Sequence, residues 1–291
     1  TGVFGPGGAA LICEKDSCIT GVETREGQRA SQFDILDVFT LGSGLGGQYK
    51  LHIDKKPLSE HSTFSPWLTV LRHRTWLPLG PHKIQISPTR QKGEVWLFGF
   101  SLKNSQGGLI YDSIGLNGSQ AKHLLKNHDR ALQSAFELLE SQLLIISFGI
   151  NEVFDRHFKI EEYSRYLEYL MSIIRDPRSP NIKRTDCLLT GPFAARRRGY
   201  PPPELEDVYR IQRDLSAKYG CAFWDARAAM GGSIRPWQKH KLARKDGVHL
   251  SRRGYNRIAA LFEESLLLSY TEWKSQKLAQ THRPQLRAVP Q

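Results

Sequence analysis

The sequence predicts an α/β domain preceded by an all-β sandwich, and three observations carry that expectation. Residues 1–106 hold many short alternating runs separated by glycine and proline, with no long stretch of helical period. From Gly107 onward, apolar strand-like runs alternate with amphipathic helical ones. After about residue 271 the chain turns polar and basic with Pro284 and Pro290, so residues 272–291 are expected to form a disordered basic tail. Strand alternating with helix implies a parallel sheet with helices on both faces, and such sheets bind ligands beyond the C-terminal ends of their strands.

In the sandwich the clearest strand is Tyr49-Lys-Leu-His-Ile53, apolar at odd positions and polar at even ones. Ile84 and Ile86 around Gln85, then Val95–Phe100, continue the pattern, and Gly42–Gly47 and Pro88–Gly93 supply turns. In the second part, Leu109-Ile-Tyr111 reads as a strand, residues 119–140 as a helical region, and Leu143–Ser147 as a strand. A helix with Tyr163, Tyr166, Leu167, Leu170, Met171 and Ile174 on its apolar positions is stopped by Asp176-Pro177. Cys187-Leu-Leu189 and Cys221–Trp224 are further strands, flanking a helix with Leu205, Val208, Ile211, Leu215 and Tyr219 that ends at Gly220. Ser251 is placed to cap the last helix, whose stripe is Tyr255, Ile258, Ala259, Phe262 and Leu266.

Composition sets bounds on function. At 291 residues and 40% hydrophobic content the chain can fill a packed core. No apolar run approaches the roughly 20 residues needed to cross a bilayer, so no transmembrane segment is expected. Lysine and arginine number 41 against 29 acidic residues, a net charge of +12 that attracts polyanions without naming one. No finger spacing, helix-turn-helix pattern or aromatic RNA-binding signature accompanies the charge, so nucleic acid is not the expected partner. Four cysteines, Cys13, Cys18, Cys187 and Cys221, have neither zinc-site nor redox spacing, and no metal or other cofactor is expected. Cys13 and Cys18 flank a turn-like tetrapeptide where a hairpin disulfide is possible; Cys187 and Cys221 read as buried core thiols.

Candidate chemistry centres on Asp246-Gly-Val-His249. An aspartate three residues before a histidine can hold the imidazole in one tautomer and aim its other nitrogen at a hydroxyl. Tyr111–Gly118 puts two glycines between a strand and a helix, where a backbone N–H can approach a substrate oxygen. Ser147-Phe-Gly-Ile-Asn151-Glu152 ends the next strand, where the Asn151 amide could donate to the same oxygen. Each segment also has a structural reading as a turn or cap. Their order and spacing together give the functional one its weight.

Gly115-x-Asn-Gly118, Gly149-x-Asn151-Glu152 and Asp246-x-x-His249-Leu-Ser together resemble the second, third and fifth conserved blocks of the SGNH (GDSL) hydrolases. Tyr111–Gly118, Trp224–Gly232 with Trp237, and Asp246–Tyr255 look like the peptidoglycan O-acetylesterase branch, which carries a carbohydrate-binding-module-like sandwich between its first and second blocks. The resemblance implies a three-layer α/β/α, flavodoxin-like sheet over residues 107–271, lacking its first strand. It implies His249 as general base, Asp246 as its orienting acid, and Gly118 (backbone N–H) and Asn151 (side-chain amide) as oxyanion donors. The implied activity is removal of O-acetyl groups from a carbohydrate, most readily peptidoglycan or another polysaccharide, in a periplasmic or extracellular setting. The alternative is a non-catalytic glycan-binding protein on a degenerate scaffold.

The first block of that family, Gly-Asp-Ser with the nucleophilic serine, has no match in residues 1–291. In this branch it precedes the sandwich, so the nucleophile is expected upstream of Thr1 and this chain alone is expected to be inactive. Ser17, Ser43 and Ser113 are weaker substitutes. Arg196-Arg-Arg198 could reach an anionic group on a glycan or peptide, although a charge run more often forms solvated surface. Trp67, Trp76 and Trp96 could stack on sugars but read first as core.

Overall fold

The structure, a computed structural model, describes residues 10–13, 20–24, 32–89, 93–115, 117–126, 128–176 and 185–281, without the side chains of 278–281. By its contacts the chain divides into two units, Thr1–Leu144 with Asp155–Cys187, and Ile145–Phe154 with Leu188–Gln291.

The first unit contains strands β1 (Leu11–Cys13), β2 (Thr20–Glu23), β3 (Phe33–Gly42), β4 (Gln48–Ile53), β5 (Lys56–Ser62), β6 (Thr69–Gly80), β7 (Lys83–Pro88) and β8 (Val95–Lys103). They form two antiparallel sheets, ordered β1-β8-β3-β6 and β2-β7-β4-β5. The alternation read in β4 is realised: Tyr49, Leu51 and Ile53 are buried with Leu36, Val38, Ile84, Ile86 and Val95 in a single core. Period-2 side chains send one set inward, which is why the pattern was readable.

One charge lies inside that architecture. Asp37 on β3 is fully buried, with Arg74 directly opposite it on β6. Arg74 donates to both carboxylate oxygens at 2.7 and 2.8 Å, and Lys103 stands 3.1 Å away. Burial works to raise the Asp37 carboxyl, but the Arg74 and Lys103 cations outweigh it and hold it below its ordinary value.

Two short helices follow, α1 (Ala121–Leu124) and α2 (Asp129–Leu139), where one helical region was expected; His128 between them takes extended backbone. Helix α2 packs on β6, burying Ala135 with Phe39 and Val70, while Ser134 accepts the Val70 N–H at 3.0 Å. The same unit holds α4 (Ile160–Ile174), which packs on α1 and α2, and the strand expected at Leu109–Tyr111 is absent from it. Leu109 and Tyr111 are 95% and 79% exposed, and no described strand pairs with them; without a partner the backbone groups go to water and no ladder forms.

A third sheet is ordered β11-β10-β9, from β9 (Leu143–Ile146), β10 (Asp186–Thr190) and β11 (Ala222–Trp224), with β10 and β11 parallel, and its residues from Ile145 and from Leu188 onward belong to the second unit. Helices α3 (Ile150–Val153), α5 (Glu204–Lys218), α6 (Ala226–Ala229), α7 (Ile234–Lys239) and α8 (Arg252–Thr281) complete it. Helix α5 ends as expected at Gly220, whose φ of +65° is left-handed. Ser251 accepts the Gly254 N–H at 3.2 Å to open α8. Of its expected stripe Ile258 is buried and Phe262 half-buried, while Tyr255 and Leu266 are exposed. The helix runs to Thr281, past the expected end at residue 271, because Thr271–Thr281 holds no proline or glycine to stop it.

The cysteines also correct an expectation. Cys187 and Cys221 are disulfide-bonded rather than core thiols; Cys13 is disulfide-bonded too, and Cys18, its expected hairpin partner, lies outside the described residues. Cys187 and Cys221 each stand one residue before the first paired positions of β10 and β11, Leu188 and Ala222, a register that single-strand patterns do not disclose.

Candidate active site

The loop between α7 and α8 carries Asp246 and His249, held in place by the backbone around them. Ala243 bridges Leu250, Ser251 N–H donates to Leu242 O at 2.8 Å, and Arg244 N–H donates to His249 O at 2.8 Å. Ala243 and Leu250 are buried with Met230, Ile234, Trp237 and Ile258, so the loop is rooted in the core of the second unit while its tip is open. The Trp237 indole N–H donates to Met230 O at 2.9 Å, so the tryptophan read together with the Trp224–Gly232 block fixes that block in place.

At the tip, Asp246 Oδ1 accepts the Val248 and His249 N–H groups, each at 2.9 Å, and Oδ2 lies 3.0 Å from His249 Nδ1. Burial acts to raise the Asp246 carboxyl, but the two backbone donors and the histidine outweigh it, so it sits below its ordinary value and stays ionised. A carboxylate on Nδ1 keeps the proton there and leaves the Nε2 lone pair for an incoming hydroxyl. No described residue hydrogen-bonds Nε2, and the His249 side chain is 64% exposed.

Asn151 is set by a second local device. Immediately after β9 the chain turns at Gly149, whose φ of +109° suits glycine alone, into the single turn α3. Glu152, buried, returns its carboxylate to accept the Gly149 N–H at 2.8 Å. The Gln212 amide of α5 donates to Phe148 O at 2.7 Å and pins the same turn. Asn151 is therefore half-buried at a strand exit. The role of Glu152 was missed from the sequence, although glutamate three residues after a helix N-cap is a known capping spacing.

Asp225, at the exit of β11, is also structural. It caps α6 by accepting the Ala228 N–H at 2.5 Å and bonds the Tyr209 hydroxyl. Burial, reinforced by that carboxylate, pushes the Tyr209 phenol far above its ordinary value.

Asp246, His249 and Asn151 thus belong to the second unit, and Gly118 to the first. Gly118 has φ of +75° with open space where a Cβ would stand, so its backbone demands glycine and is accessible. Among the substitute serines, Ser43 sits in a sandwich turn with its Oγ accepting the Leu45 N–H at 3.3 Å, Ser113 is exposed in an irregular segment, and Ser17 lies outside the described residues. Trp67 and Trp76 are 64% and 65% exposed, against the reading of both as core, because they stand outside the inward-facing set. Among the described residues, no group of three or more histidine, cysteine or acidic side chains is placed to hold a metal, and no helix is long and apolar enough to cross a membrane.

The model of the GDSL-like lipase/acylhydrolase family matches residues 90–257. The chain belongs to this family. A solved structure titled "Peptidoglycan O-acetylesterase in action, 5 min" superposes on the GDSL hydrolase described here with a TM-score of 0.71 at 25% identity, covering 94% of this chain and 74% of that one. The fold is that of the SGNH hydrolases, an α/β sheet with a preceding β-sandwich, and the chain stands in their O-acetylesterase branch. Two further structures overlap a smaller share. A lipase/acylhydrolase from Enterococcus faecalis gives 21% identity over 53% of this chain and 73% of its own, TM-score 0.41. Axe2, an acetylxylan esterase from Geobacillus stearothermophilus, gives 18% over 53% and 71%, TM-score 0.43. Comparison with curated protein sequences finds no match.

Proposed function

We propose that this GDSL hydrolase removes O-acetyl groups from a carbohydrate, with peptidoglycan the leading substrate, in the periplasm or outside the cell. The observation that carries the reading is the Asp246–His249 pair, with one carboxylate oxygen on the histidine N–H and the other 3.0 Å from Nδ1. The structural likeness to a peptidoglycan O-acetylesterase across 94% of the chain supports the substrate class.

In this mechanism His249 Nε2 takes the proton of a serine hydroxyl as the oxygen attacks the acetyl carbonyl carbon. The Asn151 amide and the Gly118 N–H donate to the oxyanion, each worth a few kcal/mol because the charge develops only in the transition state. The histidine, now protonated, returns the proton to the departing sugar oxygen, and an acetyl-serine remains. Water deprotonated by His249 then attacks that ester, and acetate and the serine hydroxyl are released. The serine belongs to the Gly-Asp-Ser block that residues 1–291 do not contain, so these residues alone are inactive in this reading. In this reading residues 1–106 serve as a carbohydrate-binding-module-like domain and 107–271 as the hydrolase domain, with the exposed Trp67 and Trp76 as candidates for sugar stacking.

The test is acetate release from O-acetylated peptidoglycan by the native protein that contains these residues. Release abolished by His249→Ala in a folded variant is the expected result; undiminished release overturns the reading.

A further inference from the structure

A small cavity of about 70 Å³ lies in the second unit, on the loop that leads from β10 to α5 and on the turn into α7. Three arginines line it, Arg196, Arg227 and Arg235, with Gly199 and Ser233 between them and no carboxylate in its wall. One water needs only about 10–15 Å³, so the space is several times larger than a single solvent site requires.

The three cations are not equally committed. Arg227 is ion-paired with Glu206 at 2.7 Å and lies over the Tyr209 ring at 4.4 Å, but Glu206 is 73% exposed and its charge is screened by water. Arg235 gives one N–H to Gly199 O at 2.9 Å, which fixes its position without neutralising it. Arg196 has no carboxylate partner among the described residues. Its neighbours in the charge run do other work or none: Arg197 pairs with Glu204 at 3.0 Å, and Arg198 is exposed. The cavity is therefore a positive site with excess charge, and a guanidinium fork is shaped for a planar anion.

Its location links it to the chemistry. The Arg196 N–H donates to Gly247 O at 2.8 Å, and a Cβ on Gly247 would meet Arg196 Cγ at 2.6 Å. The arginine stem thus lies flat against the residue that follows Asp246 and precedes the His249 turn by two positions. One residue of the cavity wall, Arg196, also braces the Asp246–His249 loop.

We propose that this arginine-lined cavity is an anion subsite that takes a carboxylate carried by the acetylated saccharide, so that the enzyme prefers acidic acetylated glycans over neutral ones. The inference rests on the esterase reading above and narrows its substrate class. A carboxylate enters as the ion it already is in water, so the subsite needs no proton transfer, and the Arg196–Gly247 contact ties it to the loop that carries His249.

Two measurements separate the subsite from the esterase reading. In the first, the native protein is titrated calorimetrically with a de-acetylated saccharide bearing a lactyl carboxylate and with the same saccharide reduced to the alcohol. The expected result is about tenfold or greater preference for the carboxylate, lost in both Arg196→Ala and Arg235→Ala and only partly kept in Arg196→Lys. Equal binding of the two saccharides, or preference unaltered in both alanine variants, overturns the subsite, and circular dichroism establishes that each variant is folded. In the second, the ratio of kcat/KM on acidic to neutral acetylated saccharide is compared between native protein and Arg196→Ala. A fall in that ratio of about tenfold supports the subsite, and an unchanged ratio overturns it. Carboxylate-selective binding without acetate release from any saccharide leaves the subsite standing and removes the esterase reading.

Discussion

Asp246 holds His249 at two points, accepting its backbone N–H at 2.9 Å with one oxygen and facing Nδ1 at 3.0 Å with the other. Backbone turn and imidazole orientation are therefore set by one carboxylate. Asp246→Asn separates the two functions: an amide oxygen still accepts the Val248 and His249 N–H groups, but an NH₂ facing Nδ1 favours the wrong tautomer. The expected loss in kcat is about 10³–10⁴-fold with an unchanged melting temperature, read by acetate release and calorimetry on the native protein. A loss below tenfold would mean that the histidine is not the base.

Asn151→Ala is expected to lower kcat about 10²–10³-fold with a small change in KM, because an oxyanion donor acts on charge that the bound substrate does not yet carry. Glu152→Gln offers the comparison. It weakens the bond to Gly149 N–H that sets the turn, so it should lower activity together with thermal stability. Stability unmoved by Glu152→Gln would show that the turn stands without the carboxylate.

Gly247→Ala tests the Asp246–His249 loop from its backbone side. Its φ of +78° is left-handed, and the added methyl carbon would meet Arg196 Cγ at 2.6 Å and Arg196 O at 2.7 Å. The left-handed conformation alone costs about 1–2 kcal/mol, and the contact forces the loop to shift. Activity should fall more than tenfold on every acyl ester, neutral ones included, which sets this variant apart from one acting on the anion subsite alone.

Asp37→Ala is expected to destabilise the sandwich by about 3–5 kcal/mol, because it leaves Arg74 and Lys103 without their buried partner. Urea unfolding followed by tryptophan fluorescence gives the value. A cost under about 1 kcal/mol would show that the two cations escape to solvent.

Acid should loosen the same unit in two windows. Burial, reinforced by the charge of His61, pushes His73 down from 6.5 to about 4; its Nδ1 is 2.7 Å from the Tyr49 hydroxyl and its ring stacks on His61. Burial lowers His61 as well. A histidine whose folded pKa is depressed takes up its proton more readily when unfolded, so its contribution is complete above 6.5 and is lost as the pH falls toward 4. Asp37 acts lower: its contribution is present above 3.8 and lost as the pH falls through its depressed folded value. Melting temperature measured against pH should therefore fall first between 6.5 and 4, and His73→Gln should flatten that first step. An unchanged first step in a folded variant would remove His73 as its source.

What was legible in the chain is what short-range chemistry encodes. The β4 strand shows in its own alternation, the Asp246–His249 pair in a spacing of three residues, and the end of α5 in one glycine. Relationships that join distant segments were not legible. Asp37 reads as one polar residue in an apolar run until β6 and β8 bring Arg74 and Lys103 to it. Helix α2 shows its amphipathic face, but nothing local says that β6 will cover it. Arg227 and Arg235 are ordinary helix-end charges until the fold brings them to Arg196. Leu109–Tyr111 has strand composition and no described partner, and composition alone makes no ladder.

The bonded cysteines Cys187 and Cys221 give the β9–β11 sheet a direction. Cys187 and Cys221 stand where β10 and β11 begin, whereas the strand exits at Thr190 and Trp224 lead to the arginine loop and to Asp225. Bonded cysteines stand at the starts of two neighbouring strands, and the loops with the candidate polar groups leave from their ends. Each such bond restricts the unfolded chain, so a reductant is expected to lower the melting temperature while leaving every residue of the Asp246–His249 loop in place.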